Sequence, residues 1–336
     1  MRVGLIARAD SRGLGIQTKA FHDQMQPAKT LVVNCPSANP LPLRRDWFPN
    51  STWTRGLPSV REYTQFLDGV DVVYTAETAY GQAFWPLAQQ RNVRSVLHGN
   101  YEFLDRRDQP TIWAAPSLWH IDQWPEGTIH LPVPIETERF QPDPADKATR
   151  LLHIVGRPAV HDRNGTLDLL QALDRVTQPF TVTIRCQQPG YVGDLIAKHR
   201  IRTPDHITLI LDSGDVTNYW DNYRDQDALI LPRRFGGLCL PANEAVGAGI
   251  PVIMPNISPN NLWLPPEWLV TAHQTGHFHA KQRITYYRTN ILALAAVIDQ
   301  LADPTFYQAA TTKAARLRNT LSWDALKPRY LEVLTP

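Results

Sequence analysis

Residues Leu229–Pro255 read LILPRRFGGLCLPANEAVGAGIPVIMP, and the order of residue types in this stretch sets the fold class. An apolar run, Leu229–Leu231, stops at Pro232, which withholds a backbone donor and ends a strand. A loop with paired glycines, Gly236 and Gly237, follows. A helix opens around Pro241-Ala242-Asn243-Glu244 and closes at Gly247/Gly249, and Pro251–Met254 is the next strand. Strand, glycine loop, helix and strand make one unit of a parallel sheet covered by helices. The glycines let backbone N–H groups approach a ligand closely, and the start of the helix favours anionic groups. Glu244, in the first turns of that helix, is placed to accept hydrogen bonds from a ribose diol. The alternative reading is a plain strand-turn-helix in which Glu244 complements the helix dipole.

The same alternation runs outward from this stretch. Val3–Ala7 reads as a buried strand, followed by the glycine turn Arg12-Gly13-Leu14-Gly15, a helix over about Ile16–Met25 and a strand at Thr30–Asn34. Asp71–Tyr74 and Ser95–His98 are further strands, with a helix around Gly81–Arg91 between them. The proline- and acid-rich segment Leu131–Pro144 closes this block. A second block opens with Leu151–Val155 and a turn at Gly156, and continues through helix Thr166–Leu173 and strands Phe180–Arg185, Ile207–Leu211 and Ala228–Leu231. From about Thr289 the spacing of Ile291, Leu294, Ala295, Ile298 and Leu301 is helical, and a second helical run reaches Leu334. The expected organisation is therefore α/β: two doubly wound parallel-sheet domains, residues 1–145 and 146–310, facing across a cleft, with a terminal helical segment, 311–336, returning to the first domain. Ligands of such sheets bind at the carboxyl ends of the strands.

Composition excludes more than it assigns. A chain of 336 residues with 43% hydrophobic and 20% charged residues suits two globular domains rather than one. With 34 basic and 32 acidic residues the formal charge is +2, so bulk charge names no partner; the basic pairs Arg106-Arg107 and Arg233-Arg234 are short. Cys35, Cys186 and Cys239 are too few and too spread for a disulfide framework or a zinc site. No stretch approaches the roughly 18 uncharged apolar residues of a membrane span, and the N-terminal apolar run is too short for a signal peptide, so a cytoplasmic protein is expected. Thr18 stands where a G-x-G-x-x-G would carry its third glycine, which argues against a nicotinamide dehydrogenase. Asp225-Gln226-Asp227 spells D-x-D but sits directly before the strand Ala228–Leu231, away from a cleft loop, and is read as structural. His273, His277 and His279 have no cysteine or carboxylate beside them, so a mobile polar loop is expected rather than a metal site. Trp113, Trp119 and Trp124 are read as packing residues.

Within Leu229–Pro255 the residues from Pro232 through Pro241 and Glu244 to Gly249-Ile250-Pro251-Val252-Ile253 resemble, without a gap, the donor-binding segment P-S-x-x-E-G-F-G-L-P-x-x-E-A-x-x-x-G-x-P-V-I of family-4-type retaining glycosyltransferases. The resemblance covers most of the chain. Val155-Gly156-Arg157 with Arg163-Asn164-Gly165 resembles the G-R-x(n)-K-G element, with Asn164 at the lysine position and Arg163 adjacent. Val96-Leu97-His98-Gly99 resembles the V-x-H-G strand end. Leu131–Pro142 resembles the interdomain I-P-N-G-V-D-x-x-R-F-x-P, Ser322-Trp323-Asp324 the S-W-D start of the last helix, and Gly13-Leu14-Gly15 the N-terminal glycine loop.

The resemblance implies a GT-B fold and a metal-independent transfer, with retention, from a UDP- or GDP-sugar as co-substrate and with no cofactor. It implies that Glu244 holds the donor ribose and that Arg157 and Arg163 grip the diphosphate, where fixed cations stabilise the charge of a departing nucleoside diphosphate. Asn164, Arg233, Arg234, Gly236, Gly237 and Leu238 complete the donor side, Gly13 and Gly15 face the donor phosphates and acceptor, and His98 faces the sugar. Tyr101 and Glu102 lie on the acceptor side. One departure stands out: the first glutamate of the family's pair falls on Gly236. The acceptor is open among a glycan, a small molecule, a protein and a hydroxymethylated DNA base. The rival readings are a GT-B module that binds nucleotide or polymer without catalysis, and a sugar-nucleotide epimerase, which the RFGGLCLPANEA stretch fits less well.

Overall fold

The structure, a computed structural model, describes residues 1–35, 41–141 and 145–335. It divides into two compact units, Met1–Pro134 with Trp323–Pro336, and Ile135–Ser322.

The first unit is built on strands β1 (Val3–Ala7), β2 (Lys29–Asn34), β3 (Thr52–Arg55), β4 (Val72–Ala76), β5 (Arg94–His98), β6 (Ile112–Ala115) and β7 (Ile129–His130), with helices α1 (Gly13–Met25), α2 (Val60–Leu67) and α3 (Phe84–Gln90). The strands lie in the order β3-β2-β1-β4-β5-β6-β7, all parallel, with Leu5 opposite Thr30 on one side and Tyr74 on the other. Every residue of β1 and β4 is buried, as it must be in a parallel sheet covered on both faces. Successive side chains part between the faces. Leu5, Ala7 and Tyr74 join the core that α1 covers through Phe21, while Ile6 and Val73 join the core of Tyr63, Phe66 and Phe84 from α2 and α3. Helix α2 starts on a capping box, in which Ser59 Oγ accepts from the Glu62 amide and the Glu62 carboxylate accepts from the Ser59 amide.

The second unit repeats the plan. Strands β8 (Arg150–Gly156), β9 (Phe180–Cys186), β10 (Ile207–Ser213), β11 (Ala228–Ile230), β12 (Val252–Pro255) and β13 (Leu269–Val270) form a parallel sheet in the order β10-β9-β8-β11-β12-β13. Helices α4 (Thr166–Leu173), α5 (Tyr191–His199), α6 (Leu240–Gly247), α7 (Ile291–Gln300) and α8 (Pro304–Leu321) complete it. Asp227, fully buried, accepts from the amides of Thr149 (2.7 Å) and Arg150 (2.8 Å) and from the Arg150 guanidinium (2.8 Å). The second aspartate of the D-x-D thus fixes where β8 and β11 begin, and Asp225 takes a left-handed turn conformation (φ 58°). The unit also carries a separate antiparallel ribbon, β14 (Ala272–His279) with β15 (Arg283–Thr289), bulged at Gln274/Gly276.

Three features differ from the sequence expectation. The division falls at Pro134/Ile135 rather than near residue 145, because Ile135 and Phe140 are already packed in the second core and the Ile135 amide donates to Leu321 O (2.8 Å). Pro142 and Pro144 of that segment lie outside the described residues. Helix α8 belongs to the second unit, where Tyr307 and Ala314 are buried, so the returning segment is only the last helix, α9 (Trp323–Leu334). The histidines expected on a mobile loop lie on β14.

Among the described residues no helix is long and apolar enough to cross a membrane. Helix α9 is held to the first sheet by Tyr330, whose hydroxyl donates to Pro132 O (3.1 Å) and whose ring meets Trp323, His98, Tyr74 and Phe21 at 5.3–6.2 Å. Tyr330→Ala is expected to cost about 3–5 kcal/mol, the usual range for an emptied aromatic core site, and Tyr330→Phe about 1 kcal/mol for one hydrogen bond. Urea unfolding followed by the fluorescence of the buried tryptophans checks both; equal effects of the two substitutions would place the stabilisation in the hydroxyl.

Candidate functional site

The strand order of the second unit reverses between β8 and β11, and in doubly wound sheets ligands bind at that point, beyond the carboxyl ends of the strands. The chain leaves β8 at Gly156-Arg157 and β11 at Leu231–Arg234. Arg157, half-buried, follows β8 directly. Asn164 Nδ2 donates to both Ile154 O (3.0 Å) and Val155 O (2.9 Å), stitching the next loop to the end of β8. Gly165 is required by contact: its φ is +68°, and a Cβ there would meet Pro232 O at 2.0 Å. The loops after the two central strands therefore touch backbone to backbone. Asp162 accepts the amides of Thr166 (3.0 Å) and Leu167 (2.8 Å), so the start of α4 already holds a carboxylate. Burial raises the Asp162 pKa above its ordinary value against those hydrogen bonds.

The start of α6 is the opposite case. Its N-cap, Cys239, makes no side-chain cap, and the first turn holds no acidic residue. Among the described residues no acceptor is found for the amides of Gly236, Gly237, Leu238 and Leu240. An uncapped helix start whose amides lack acceptors is a ready anion site.

The loop that presents these amides is shaped by Arg233. This arginine is 6% exposed, and its guanidinium donates to Phe235 O (3.0 Å) and Leu238 O (2.9 Å) and reaches Asn164 Oδ1 at 3.5 Å. Gly236 sits over it with φ +119°, where a Cβ would lie 2.4 Å from Arg233 Nη2 and 3.1 Å from Arg163 Nη2. The space a side chain at 236 would take is thus occupied by two guanidinium groups. Arg163 also lies over the Phe235 ring, 5.7 Å from its centroid.

Glu244 is 5% exposed on α6, and its Oε2 accepts from Tyr223 Oη at 2.5 Å. No bond to its Oε1 is found among the described residues. Burial pushes the carboxyl up to about 7, and the Tyr223 hydrogen bond pulls it only partly back. The same burial, with the Glu244 carboxylate beside it, holds the Tyr223 hydroxyl protonated.

Arg234 turns away from this loop. Its guanidinium donates to Tyr287 O (2.7 Å), His161 O (3.0 Å) and Thr275 Oγ1 (3.2 Å), and its backbone carbonyl accepts from the Tyr287 amide (3.0 Å). His161 stacks on Tyr286 at 4.5 Å, and Phe235 meets Phe278 edge-on at 5.0 Å. The β14–β15 ribbon is therefore built onto the candidate loop.

The remaining predicted residues, His98, Gly13 and Gly15, belong to the first unit. His98 is expected from sequence to face a sugar; the structure instead uses it as a core histidine. It is 2% exposed, its Nδ1 accepts from Tyr74 Oη (2.7 Å) and Gln17 Nε2 (3.2 Å), and its Nε2 donates to Leu131 O (2.7 Å). Burial lowers its pKa to about 3, so the ring is neutral and both nitrogens are engaged. Gly13 is exposed at the start of α1. Gly15 is demanded by packing, since a Cβ would fall 1.8 Å from Asp10 O. Tyr101 is bonded to Gln123 and packs on Trp119, and Glu102 is 8% exposed beside it.

Sequence reasoning brings Arg163, Asn164, Arg233, Gly236, Gly237, Leu238 and Glu244 to one locality; in the structure Arg233 lies against Asn164, Gly236 and Leu238, with Arg163 over Gly236, while Glu244 stands further along α6 and bonds to Tyr223. It misses Tyr223, Asp162 and the ribbon. No motif marks Tyr223 or Asp162. The ribbon had a signal, the β-favouring run Ile284-Thr285-Tyr286-Tyr287, set against the polarity of the histidines.

No protein-family model and no curated protein matches the chain. Solved structures do. A sucrose-phosphate synthase from Thermosynechococcus elongatus superposes with a TM-score of 0.73 at 15% identity, over 99% of this chain and 98% of that one. A glycosyltransferase from Rickettsia africae gives 0.71 at 12% identity, over 99% and 97%. The Anabaena HepE protein in complex with UDP and glucose gives 0.70 at 11%, over 99% of each chain. The fold is GT-B.

Two substitutions test this geometry. Gly236→Ala is expected to cost about 1–3 kcal/mol through backbone strain and the displaced guanidinium, and Arg233→Ser in the same chain should recover about 0.5–3 kcal/mol of coupling. A double-mutant cycle by urea unfolding reads it, and strict additivity would rule out the steric account. Glu244 has a folded pKa raised to about 7 over an ordinary 4.5, so the folded state holds this proton more tightly than the unfolded chain. That contribution to stability is complete below about pH 4.5 and is lost as pH rises through about 7, by up to about 3 kcal/mol. Glu244→Gln should flatten this segment of the stability–pH curve; an unchanged slope would refute the raised pKa.

Proposed function

We propose that the protein is a glycosyltransferase that takes its sugar from a nucleoside diphosphate donor, a UDP-sugar before a GDP-sugar. The observation that carries this reading is the pairing of free amides at Gly236, Gly237, Leu238 and Leu240 with Glu244 one turn further along the same helix. Backbone amides at a helix start suit a diphosphate. A buried carboxylate with one oxygen held by Tyr223 and the other without a protein partner suits a ribose diol. Among the structures of similar fold, HepE is described in complex with UDP-glucose, and another is a lipopolysaccharide outer core galactosyltransferase. That supports a nucleotide-sugar donor for this chain.

In the proposed reaction the bond from the anomeric carbon to the diphosphate oxygen breaks. The acceptor hydroxyl oxygen bonds to that carbon on the same face, with retention, and its proton passes to the departing diphosphate. The amides of the 236–240 loop with Arg163 and Arg157 stabilise the leaving charge, so no metal, cofactor or protein nucleophile is invoked. Asn164, Arg233 and Arg234 act by shaping the loop rather than by touching the donor. The acceptor comes from the set of glycan, small molecule, protein and modified DNA, and the setting is cytoplasmic.

A second reading, a GT-B module that binds nucleotide without turnover, draws on one observation. Arg233 fills the space at Gly236, which leaves no carboxylate there for sugar hydroxyls.

Thermal shift with UDP-, GDP-, ADP- and dTDP-sugars separates these readings. One UDP-sugar is expected to raise the Tm of the wild type, and Glu244→Ala and Arg163→Ala to weaken its affinity at least about tenfold. Donor affinity should rise as pH passes up through about 7, because the carboxylate is the form that accepts two hydroxyls. Failure of every nucleotide sugar to shift the wild type would defeat the donor site. Binding without any release of UDP, with or without added acceptors, would select the non-catalytic module.

A further inference from the structure

The β14–β15 ribbon has two unlike faces. Cross-strand register puts Phe278 with Ile284, Gly276 with Tyr286 and His273 with Arg288 on one face. That face is the built-in one: Ile284 is fully buried, Tyr286 stacks on His161, and Arg288 pairs with Asp168 at 3.3 Å and donates to Gln171 (2.6 Å). The opposite face pairs His279 with Arg283, His277 with Thr285 and Gln274 with Tyr287. On it Gln274, His277, His279 and Arg283 are exposed, as is Lys281 in the turn, and Arg283 reaches His277 at 3.4 Å.

This outer face is basic by omission as well as by content. Between Glu267 and Asp299 the chain has no acidic residue, where 32 acids in 336 residues would place about three. An acid-free ribbon of Arg, Lys, His, Gln, Thr and Tyr is complementary to a polyanion. It presents an open surface rather than a cavity, which argues against a small anion. The turn, Ala280-Lys281-Gln282, and the outer face carry no large aliphatic side chain and no tryptophan, which argues against insertion into a lipid surface. A two-stranded antiparallel ribbon is one of the elements that the major groove of B-DNA, about 12 Å wide, admits. From Gln274 to His279 the open face takes in six residues of β14, which at about 3.3 Å each span about 20 Å, or roughly six base steps at 3.4 Å.

We propose that the outer face of the β14–β15 ribbon is a docking surface for double-stranded DNA. Arg283 and Lys281 meet phosphates, while Gln274, His277 and Tyr287 lie over the groove. Where the glycosyl-transfer reading holds, this is the surface that brings a polymeric acceptor beside the donor loop; only that purpose, and not the binding, rests on the reading. The basic residues 233 and 234 are excluded from such a role by their bonds within the unit.

The test uses the full chain and a fluorescein-labelled duplex of about 24 base pairs, read by anisotropy at 50 and 200 mM NaCl. Three proteins are compared: wild type, Lys281→Glu/Arg283→Glu, and Arg106→Glu/Arg107→Glu as an exposed basic pair elsewhere. The ribbon variant is expected to bind at least tenfold more weakly and to lower the slope of log affinity against log salt by about two, while the control changes little. The stabilisation by UDP-sugar is read on all three and should be unchanged in the ribbon variant, which also shows that it folds. No duplex binding by the wild type at 50 mM NaCl overturns the proposal. So does equal loss in the two variants, or preferential flotation of the wild type with phosphatidylserine vesicles. Duplex binding lost only in the ribbon variant, with no UDP-sugar response in any protein, upholds the docking surface and defeats the donor reading instead.

Discussion

The guanidinium of Arg233 lies where residue 236 would put its β-carbon, and the loop between β11 and α6 takes its form from that placement. A buried arginine is tolerated only if its donors are met, and here the carbonyls of residues 235 and 238 and the Asn164 side chain meet them. Those two carbonyls are taken by the arginine, while no acceptor is found among the described residues for the amides of Gly236, Gly237, Leu238 and Leu240. The left-handed-side backbone at Gly236, φ +119°, is the geometry that lets the chain pass over a guanidinium. Against the motif P-S-x-x-E, arginine in the serine position and glycine in the glutamate position are therefore one change in two parts. A glutamate at 236 beside the present Arg233 would clash, and a glycine there without the arginine would leave a hole.

The neighbouring carboxylate is governed by the same economy of partners. Glu244 is held by a single hydroxyl, with no cation bonded to it in the described structure, so desolvation dominates and its pKa rises to about 7. A carboxylate kept purely for stability is paired as Asp227 is, with two amides and an arginine. Asp162 likewise spends both oxygens on the amides at the start of α4. The contrast of Glu244 with buried Asp227 and half-buried Asp162 in one unit separates structural from functional use better than burial does. An acid whose second oxygen has no protein partner costs stability unless a ligand supplies donors.

Val3–Ala7 and the Ala228 strand were legible because strands buried on both faces read as unbroken apolar runs, and the Phe180 and Ile207 strands, alternating or largely exposed, still begin at the residues expected. The donor loop was legible because its glycines and prolines punctuate the chain. Elements at the sheet margins were not: β3, with Thr52 and Arg55 exposed, and the two-residue β7 carry little apolar pattern. The His98 reading erred for a definable reason. A histidine at the carboxyl end of a strand satisfies a motif, but sequence does not show that Tyr74, Gln17 and Leu131 O converge on both its nitrogens. Gly15 looks like a ligand-approach glycine in sequence and Gly165 closes a motif, yet a Cβ on either would meet a backbone carbonyl at 1.8–2.0 Å.

The ribbon was hidden because its alternation is polar on one face and only half-buried on the other, so period alone gives it no core to point at. What orders it is the loop it stands beside. Arg234 gives its guanidinium to Tyr287 O and Thr275, its carbonyl to the Tyr287 amide, and Phe235 packs on Phe278. Consecutive residues 233, 234 and 235 thus divide the work: the first sets the curve of the amide loop, and the next two hold the ribbon against it. Any displacement of the ribbon by a bound polymer must act on Arg234 and Phe235, and through the continuous backbone on the amides at 236–238. The two surfaces share these three consecutive residues, which gives coupling between them a physical route without any change in the sheet.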